Sequence, residues 1–270
     1  MTGSALVPIA VLGAGGRMGR SLMRLAAEHG ARVVAAIDRA EAGRDAGELA
    51  GAGRSGLAVA ADLGGLKASG AKVLIDFSSP AVVAEAARAC ADAGVALVSG
   101  TTGLEAEGTR ALDAAAGRVA VLWEPNMSVG VLVLSDLLRS AIALLGPGFD
   151  VEIVETHHRL KADAPSGTAA RLAEIAKDEV GKRGEGAPVL VKGRDGKPGA
   201  RRPNEIGVLA VRGGDVVGDH VVHLLGEGER LELVHRASSR DVFAVGALRA
   251  AAWLAGKPAG RYALRDVVKT

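Results

Sequence analysis

The chain has 270 residues, of which 49% are hydrophobic, and its 33 lysines and arginines nearly balance 31 aspartates and glutamates. This length allows one or two globular domains with a large core. The near-neutral charge and the few scattered aromatic residues argue against a nucleic-acid surface, which needs a basic excess and stacking platforms. The single cysteine, Cys90, cannot form an internal disulfide, so we expect a reduced, cytoplasmic compartment.

The amino-terminal apolar run, residues 5–12, is too short to span a membrane. It has neither the preceding basic region nor the following processing site of a signal peptide. We therefore expect no export signal, no membrane partner and no nucleic-acid partner.

Strand-like apolar runs and alanine-rich helical segments alternate through the first half. The runs are IAVLGAGG, ARVVAAID, LAVAAD, AKVLIDFSS, GVALVSGTTG and RVAVLWEP, and helices are expected at about 17–30, 80–93 and 104–116. Strands rich in valine and isoleucine, apolar on both faces and separated by helices, indicate a parallel sheet covered on both sides. The predicted fold class of this half is therefore α/β.

The second half has a different pattern. Helices are expected at about 130–145 and 166–180, with the strand VEIVETHH between them. The runs EIGVLAVRGG, VVGDHVVHLL and ERLELVHRA follow with little helix between them, and such neighbours pair most simply as antiparallel strands. This half predicts a second, α+β domain with a mixed, largely antiparallel sheet. An apolar helix at about 239–256 ends the pattern.

A glycine-rich run, VLGAGGRMGR at residues 11–20, lies where the first predicted strand turns into a helix. Its glycines, Gly13, Gly15 or Gly16, and Gly19, would provide a tight turn, close approach of a phosphate and packing of helix on strand. The spacing is not the strict G-x-G-x-x-G, and any tight strand-to-helix connection can carry such glycines. Further sequence context favours a dinucleotide.

That context is the end of the second predicted strand. Asp38 stands there, 19 residues after Gly19, where a carboxylate would accept hydrogen bonds from an adenosine ribose. Arg39 beside it carries a planar donor fork suited to a 2′-phosphate. A solvated strand end is the alternative. Because Asp38 favours NADH and Arg39 favours NADPH, we expect a site that accepts both.

Three polar loops follow later strands of the predicted parallel sheet: FSSP at 77–80, GTTG at 100–103 and EPNMS at 124–128. Ligands of such sheets bind beyond the carboxyl ends of the strands. Each loop alone could be ordinary turn chemistry. Three at consecutive strand ends predict a cleft.

The run ETHHRLKADAPSGTA, residues 155–169, gathers basic and hydroxyl side chains. Successive strand side chains alternate, so His157 and His158 should lie on opposite faces, with Arg159 and Lys161 on the face of His157 if the strand continues. One histidine should face the cleft more than the other. These cations predict a cluster that could hold an anion.

A helix should begin just after these cations. Pro165 fits its first turn, and Ser166, Gly167 and Thr168 would offer backbone N–H groups and hydroxyls at its positive end. Such a site would hold carboxylates and could deliver a proton while a coenzyme delivers hydride. A capped helix preceded by a surface charge cluster is the alternative.

Several motifs, taken in order, resemble one family. They are GAGGRMGR, DFSSP, SGTTG, PNMSVG, ETHHRLKADAPSGTA and EIGVLAVRGGDVVGDHVVHLLGEGERLELVHRASSR. Together they resemble the 4-hydroxy-tetrahydrodipicolinate reductases, also called dihydrodipicolinate reductases, of lysine and diaminopimelate biosynthesis. The resemblance covers nearly the whole chain, and its H-H-R-x-K-x-D-x-P-S-G-T run is highly specific.

The resemblance implies a Rossmann-type doubly wound domain at 1–128 and 239–270 that binds NADH or NADPH. It implies an α+β domain at 129–238 that binds a cyclic dicarboxylate and builds a homotetramer through its sheet. By resemblance His157 relays a proton and Lys161 donates it, while His158, Ser166, Gly167 and Thr168 bind substrate. The implied coenzyme residues are Gly13, Ala14, Gly15, Gly16, Arg17, Met18, Asp38, Arg39, Gly100, Thr101, Thr102, Glu124, Pro125, Asn126, Met127 and Arg240.

Two positions depart from the family pattern. Leu132 follows Val131 where many relatives have asparagine, and Glu124 stands where relatives have a small residue. The acidic side chain puts that coenzyme contact in doubt, although backbone contacts could survive it. The six histidines show no H-x-x-x-H or cysteine-containing ligand set, so we expect no metal.

Two other functions stay open on the sequence alone. A semialdehyde or sugar dehydrogenase would share the first domain, but thioester chemistry needs an exposed cysteine and Cys90 falls in a predicted helix. A non-enzymatic redox sensor would bind NAD(H) without turnover and would have no use for a proton donor beside a dicarboxylate site.

Overall fold

A computed structural model describes residues 5–269, and these residues form two compact units. The first unit is Met1–Val129 with Asp241–Thr270, and the second is Gly130–Arg240. The boundaries expected from the sequence, at 128/129 and 238/239, lie within two residues of this division.

The first unit holds a six-stranded sheet in the order β11-β5-β4-β3-β1-β2, and every pairing in it is parallel. Its strands are β1 Val7–Leu12, β2 Ala31–Ile37, β3 Val73–Asp76, β4 Ala96–Ser99, β5 Ala120–Trp123 and β11 Gly260–Tyr262. Its helices are α1 Arg17–Leu25, α2 Ala46–Ala50, α3 Pro80–Ala93, α4 Ala106–Ala116, α7 Asp241–Leu254 and α8 Leu264–Val268. The predicted α/β, Rossmann-type parallel sheet is confirmed.

The core of this unit follows from the apolar strands. All four residues of β3 and of β4 are buried, as expected for strands covered by helices on both faces. Helix α3 shows how the sequence sets the boundaries of a helix: Ser79 precedes it, Pro80 is its first residue, and Gly94 ends it with φ +70°.

The carboxyl-terminal segment completes the first unit. Strand β11 pairs in parallel with β5, so Tyr262 lies opposite Leu122. Helix α7 packs there through small residues, and a Cβ at Gly246 would stand only 1.8 Å from the carbonyl oxygen of Met127. This return of the chain was expected only from the family resemblance.

Two elements of the first unit differ from expectation. LAVAAD, residues 57–62, is not a strand, because it makes only isolated bridges, Ala60 to Ile37 and Ala58 to Asp45. Its two sides pair with different neighbours, and Val59 alone of its middle residues is buried. Helix α1 ends at Leu25 instead of continuing to residue 30, and a 3-10 turn, Ala27–His29, leads to Gly30 at φ +74°.

The second unit holds a five-stranded mixed sheet in the order β10-β9-β6-β8-β7. Its strands are β6 Asp150–His157, β7 Val189–Val191, β8 Glu205–Arg212, β9 Gly218–Leu225 and β10 Arg230–Ala237, and its helices are α5 Val129–Leu145 and α6 Gly167–Gly181. Leu138 and Ile142 of α5 and Leu172 of α6 pack on Ile153 and Val222 of the sheet.

The mixed sheet is confirmed, but its pairing differs in one respect from the simple succession of antiparallel neighbours. Strands β8 and β9 do not pair with each other, because β6 lies between them, parallel to β8 and antiparallel to β9. The chain leaves β6 through α6 before it reaches β8, and such a helical crossover produces a parallel pairing.

Within the described residues, one helical stretch, Val129–Gly148, is long and apolar enough to cross a membrane when judged by length and composition alone. Such a helix is weak evidence of a membrane span, because core helices pass the same test. Leu138 and Ile142 of this stretch lie in the core of the second unit.

Candidate active site

The glycine run forms the turn between β1 and α1. Gly13 has φ +80°, and a Cβ there would stand 2.6 Å from the carbonyl oxygen of Phe77. A Cβ at Gly19 would stand 2.1 Å from the carbonyl oxygen of Gly13, so α1 needs glycine at this position to pack so closely. The amide of Gly15 donates to Asp38 Oδ2 at 2.9 Å, which ties this turn to the end of β2.

A cavity of about 410 Å³ opens beside this turn. Of the expected coenzyme residues it is lined by Gly13, Gly16, Asp38 and Arg39. The lining also includes Phe77, Ser78, Ser79 and Val82, from the FSSP loop and the first turn of α3, together with Leu12, Ile37, Ala61, Asp62, Leu63 and Glu85. A turn without side chains at its centre and an acidic residue at the end of β2 fit a dinucleotide.

The sequence predicted that the FSSP loop borders a cleft, but it did not single out the individual residues of that loop. Residues 61–63 could not be assigned in advance, because they lie at and just after the end of LAVAAD, which was expected to be a strand.

A buried carboxylate holds the next two loops together. Asp76, at the end of β3, accepts hydrogen bonds from the hydroxyl groups of Ser78 at 2.5 Å, Ser99 at 2.7 Å and Thr101 at 3.0 Å, and from the Ser78 amide at 3.0 Å. Trp123, at the end of β5, donates from Nε1 to the Thr101 carbonyl oxygen at 2.9 Å. The loops that follow three strands are thereby fixed relative to one another.

The other expected coenzyme residues of the first unit differ in exposure. Ala14, Gly100, Thr101 and Met127 are buried, so their role in such a site is the shape of the loops. Gly15, Arg17, Met18, Thr102, Glu124, Pro125 and Asn126 are half-buried or exposed. At the Glu124 departure, the backbone N–H donates to the Ser99 carbonyl oxygen at 3.1 Å, which keeps this loop joined to β4.

In the second unit, His157 is the last residue of β6 and is buried. Its Nδ1 lies 2.6 Å from Oε2 of Glu155, which is completely buried. Arg212, the last residue of β8, donates to both oxygens of Glu155 at 2.7 and 2.8 Å, and the Ser166 amide donates to Oε1 at 2.9 Å. Burial opposes the charge on Glu155, but hydrogen bonds from Arg212, His157 and Ser166 lower its pKa below the usual value.

His158 and the residues after it do not continue the strand as the alternation argument assumed. The amide of His158 donates to the Val216 carbonyl oxygen, and Lys161 closes a turn on the His158 carbonyl oxygen at 3.1 Å. Arg159 and Lys161 therefore have no strand parity with His157. Burial still separates the two histidines as expected, since His157 is buried and His158 only half-buried.

Two further contacts between side chains involve this segment of the second unit. Lys161 Nζ pairs with Asp163 Oδ1 at 2.8 Å, and the hydrogen bond from Lys161 lowers the pKa of Asp163. Arg240 Nη2 lies 3.1 Å from His158 Nε2. Arg240, which the resemblance gave as a coenzyme residue, thus contacts an expected substrate residue.

Helix α6 begins where the sequence predicts it, with one difference. Ser166 is the N-cap, its Oγ accepts from the Ala169 amide at 3.2 Å, and Gly167 is the first helical residue. Pro165 therefore precedes the cap instead of occupying the first turn. Gly167 is exposed, and no atom lies within 4 Å of the position a Cβ would take, so an anion can approach its N–H.

His220 of β9 is buried beside Ser166, and its Nε2 lies 3.2 Å from Ser166 Oγ. Burial, followed by the nearby imidazoles of His157 and His235, lowers its pKa to about 4. The unfolded chain would bind this proton with a pKa of about 6.5. The stability that depends on neutral His220 is therefore complete above about pH 6.5 and is lost as the pH falls towards about 4.

We expect His220 to lower the free energy of unfolding by up to about 3 kcal/mol across this window. Urea unfolding of wild type and His220→Gln at pH 7 and at about pH 4 measures the effect, since the variant should lose less stability on acidification. Equal losses in the two proteins would show that His220 does not contribute to the pH dependence.

Among residues 5–269, no group of three or more histidine, cysteine, aspartate or glutamate side chains could hold a metal ion. Cys90 is buried in α3, and its pKa is raised by burial and then by the charge of Asp76, which opposes formation of a nucleophilic thiolate.

Comparison with protein families matches both units. The carboxyl-terminal model of dihydrodipicolinate reductase matches residues 130–268, and the amino-terminal model matches residues 7–127. The chain belongs to the dihydrodipicolinate reductase family. It is therefore an oxidoreductase with a nicotinamide coenzyme, NADH or NADPH, as the glycine loop and Asp38-Arg39 predict.

Similar proteins in this family cover nearly the whole chain. A 4-hydroxy-tetrahydrodipicolinate reductase of Anaeromyxobacter sp. (strain Fw109-5) is 52% identical over 97% of this chain and 98% of its own length. One from Acinetobacter baumannii (strain ATCC 17978) is 45% identical over 98% of this chain and 97% of its own length. The solved dihydrodipicolinate reductase of Paenisporosarcina sp. TG-14 shares the fold, with a TM-score of 0.73 and 24% identity over 96% of this chain and 97% of that one.

Proposed function

We propose that this chain reduces 4-hydroxy-tetrahydrodipicolinate to tetrahydrodipicolinate with NADH or NADPH, in lysine and diaminopimelate biosynthesis. The observation that carries the proposal is the segment that runs from the end of β6 to the start of α6. Within it His157, Lys161 and the start of α6 are held together by Glu155, Arg212 and Asp163. The names of relatives about half identical over almost the full length support the same reaction.

The two units would bind different ligands. The first unit, with its glycine turn and the cavity beside Asp38, would bind the dinucleotide. The second unit, with its cations and the amino end of α6, would bind the cyclic dicarboxylate.

The 4-hydroxy group of the substrate must leave as water, which gives the conjugated dihydrodipicolinate ring, and the bound coenzyme would supply a hydride to that ring. A proton must then reach the electron-rich end of the same system, so that one hydride and one proton are added. In this proposal Lys161 donates that proton and His157 relays it. His158 and the N–H groups of Gly167 and Thr168 hold the carboxylates, which makes the ring a better hydride acceptor.

Ser166 acts mainly on the helix in this scheme. Its hydroxyl oxygen accepts from the Ala169 amide, and its own amide is donated to Glu155. Gly167 is exposed, and no atom lies within 4 Å of the position a Cβ would take, so its N–H would be open to an incoming carboxylate.

Pyridine-2,6-dicarboxylate tests the placement of the anion site. This planar compound presents two carboxylates to the same N–H groups and cations, so it should inhibit competitively with substrate. The Paenisporosarcina enzyme was solved with dipicolinate bound, which supports the choice of probe. Inhibition competitive with coenzyme and not with substrate would refute the placement.

Arg39 should set the response to the 2′-phosphate of NADPH. Its side chain lines the cavity and is exposed. Replacing Arg39 with alanine removes one charge-assisted contact, so NADPH binding should weaken by roughly 1.5–3 kcal/mol while NADH binding changes little.

Titration of both coenzymes into wild type, Arg39→Ala and Arg44→Ala measures this difference. Arg44 is the matched control, because it is a nearby exposed arginine paired with Glu41 and is not part of the cavity wall. Equal losses for NADH and NADPH in Arg39→Ala would contradict the assignment.

We also propose that the sheet of the second unit joins four copies into a homotetramer. On the face opposite α5 and α6, Val234, Val221, Val154 and Leu209 lie side by side across four strands. Val234 is 43% exposed and the other three are partly exposed, as expected of an apolar face that a partner covers. Sedimentation equilibrium should give four chain masses, and a monomer would contradict the proposal.

A further inference from the structure

Glu155 is a buried carboxylate to which the proposed chemistry assigns no role. Three N–H groups donate to it, from Arg212 Nη1, Arg212 Nη2 and the Ser166 amide, at 2.7 to 2.9 Å, and His157 Nδ1 lies 2.6 Å from Oε2. They come from the ends of β6 and β8 and from the cap of α6. One side chain thus joins three elements at the point where the proposed catalytic segment begins.

The contacts of Glu155 determine which nitrogen of His157 carries the proton. An ionised carboxylate only accepts hydrogen bonds, so His157 must donate from Nδ1. In neutral His157, Nε2 is then left as the acceptor. Nε2 faces Gly218, where a Cβ would stand only 2.9 Å from it, so glycine leaves the room that this ring position needs.

Arg212 extends the same arrangement to the segment that carries Lys161. Besides its two bonds to Glu155, Arg212 Nη2 donates to the Asp163 carbonyl oxygen at 2.7 Å. Asp163 in turn pairs with Lys161 through its carboxylate. A loss of charge at Glu155 would therefore affect the positions of both proposed catalytic side chains, His157 directly and Lys161 through Arg212 and Asp163.

We propose that Glu155 is the positioning residue of this site, which fixes His157 as the Nδ1–H tautomer and, through Arg212, anchors the turn that carries Lys161. This inference rests on the proposed role of His157 in proton transfer. Glu155 itself touches neither substrate nor coenzyme in this scheme.

The change Glu155→Gln tests the tautomer of His157, because the carboxylate has two acceptor oxygens whereas the amide has one acceptor oxygen and one donor NH₂. If its oxygen takes the Oε1 position, it accepts from the Ser166 amide and Arg212 Nη2, and its NH₂ then faces His157 Nδ1 and one fixed donor, Arg212 Nη1. The opposite orientation would place the NH₂ against two fixed donors, the Ser166 amide and Arg212 Nη2, so the first orientation is favoured. His157 is thereby driven to the Nε2–H tautomer.

The experiment records ¹H–¹⁵N correlation spectra of the histidine rings in the full-length protein, alongside kcat, KM and NADH affinity. Wild type should show His157 as Nδ1–H, and Glu155→Gln should show Nε2–H. Because the relaying nitrogen then carries a proton it should accept, kcat should fall about 10²-fold or more, with NADH affinity unchanged.

Glu179→Gln is the matched control. Glu179 is a buried carboxylate of the same unit, paired with Arg139 at 3.0 Å and Lys182 at 2.7 Å, and it lies near the far end of α6, about 18 Å along the helix from Gly167. Its variant should lose stability but keep the His157 tautomer and wild-type kcat. A general effect of removing a buried charge would lower kcat in both variants and would overturn the proposal.

If Glu155→Gln does not fold, the double variant Glu155→Gln/Arg212→Met replaces it, because it leaves no half-buried guanidinium without its carboxylate partner. It should show the same Nε2–H tautomer and the same low kcat. The proposal is overturned if the variant keeps the Nδ1–H tautomer, or if the tautomer changes while kcat stays within twofold of wild type.

The proposed roles of His157 and Glu155 can be tested separately. A His157→Gln variant with wild-type kcat would remove the proposed role of His157 and, with it, the reason for a positioning residue. If kcat falls in His157→Gln as expected but is unchanged in Glu155→Gln, only the proposed role of Glu155 is overturned.

Discussion

Replacing Lys161 with alanine should lower kcat by about 10²–10⁴-fold, the usual contribution of a positioned general acid. Lys161 is the proposed proton donor, and its ammonium is held by Asp163 in the turn that follows β6. NADH affinity should be nearly unchanged, because the expected coenzyme residues other than Arg240 belong to the first unit. Steady-state kinetics and coenzyme titration measure the two quantities separately.

Lys177→Ala is the control for this change. Lys177 is also a lysine of the second unit paired with a carboxylate, that of Glu174 on α6, but it lies outside the segment 155–168. It should keep wild-type kcat and KM. Wild-type kcat and KM in Lys161→Ala would mean that the basic run is a solvated approach to a helix, and the mechanism would be wrong.

His157 and His158 should give different kinetic signatures. His157→Gln removes the buried imidazole that Glu155 holds, so kcat should fall sharply while some substrate binding remains. His158→Gln removes a half-buried ring that contacts Arg240, so its main effect should be a higher KM, as expected when ground-state and transition-state binding are lost equally.

The comparison of these two variants is its own control, since both remove one imidazole from adjacent residues. If the signatures are exchanged, His158 is the proton-relaying residue and the site survives with its roles reversed. If neither variant changes kcat or KM, the two histidines have no part in the reaction.

Much of this site could be predicted because its signals are local. The turn at Gly13 to Gly19, the carboxylate after β2 and the cap of α6 each depend on a few neighbouring residues. Alternation along β6 buries Glu155 and His157, while His158, just past the end of the strand, is half-buried, so the two histidines lie in different environments. Short-range rules such as these need no knowledge of the tertiary fold.

The remainder depends on residues far apart in the chain. Glu155 meets Arg212 only because β6 and β8 pair in parallel, across 57 positions of sequence. The cluster around Asp76 joins the ends of two neighbouring strands in the same way. The segment LAVAAD had a strand-like pattern, yet its partners on its two sides prevented it from forming a regular strand.

A coupled assay shows whether this chain reduces 4-hydroxy-tetrahydrodipicolinate. A synthase that forms 4-hydroxy-tetrahydrodipicolinate in the cuvette is combined with this protein and with NADH or NADPH, and coenzyme absorbance is followed. We expect oxidation of both coenzymes only when synthase and protein are both present, and we expect pyridine-2,6-dicarboxylate to inhibit it. No substrate-dependent oxidation of either coenzyme would contradict the claim that this chain is the reductase.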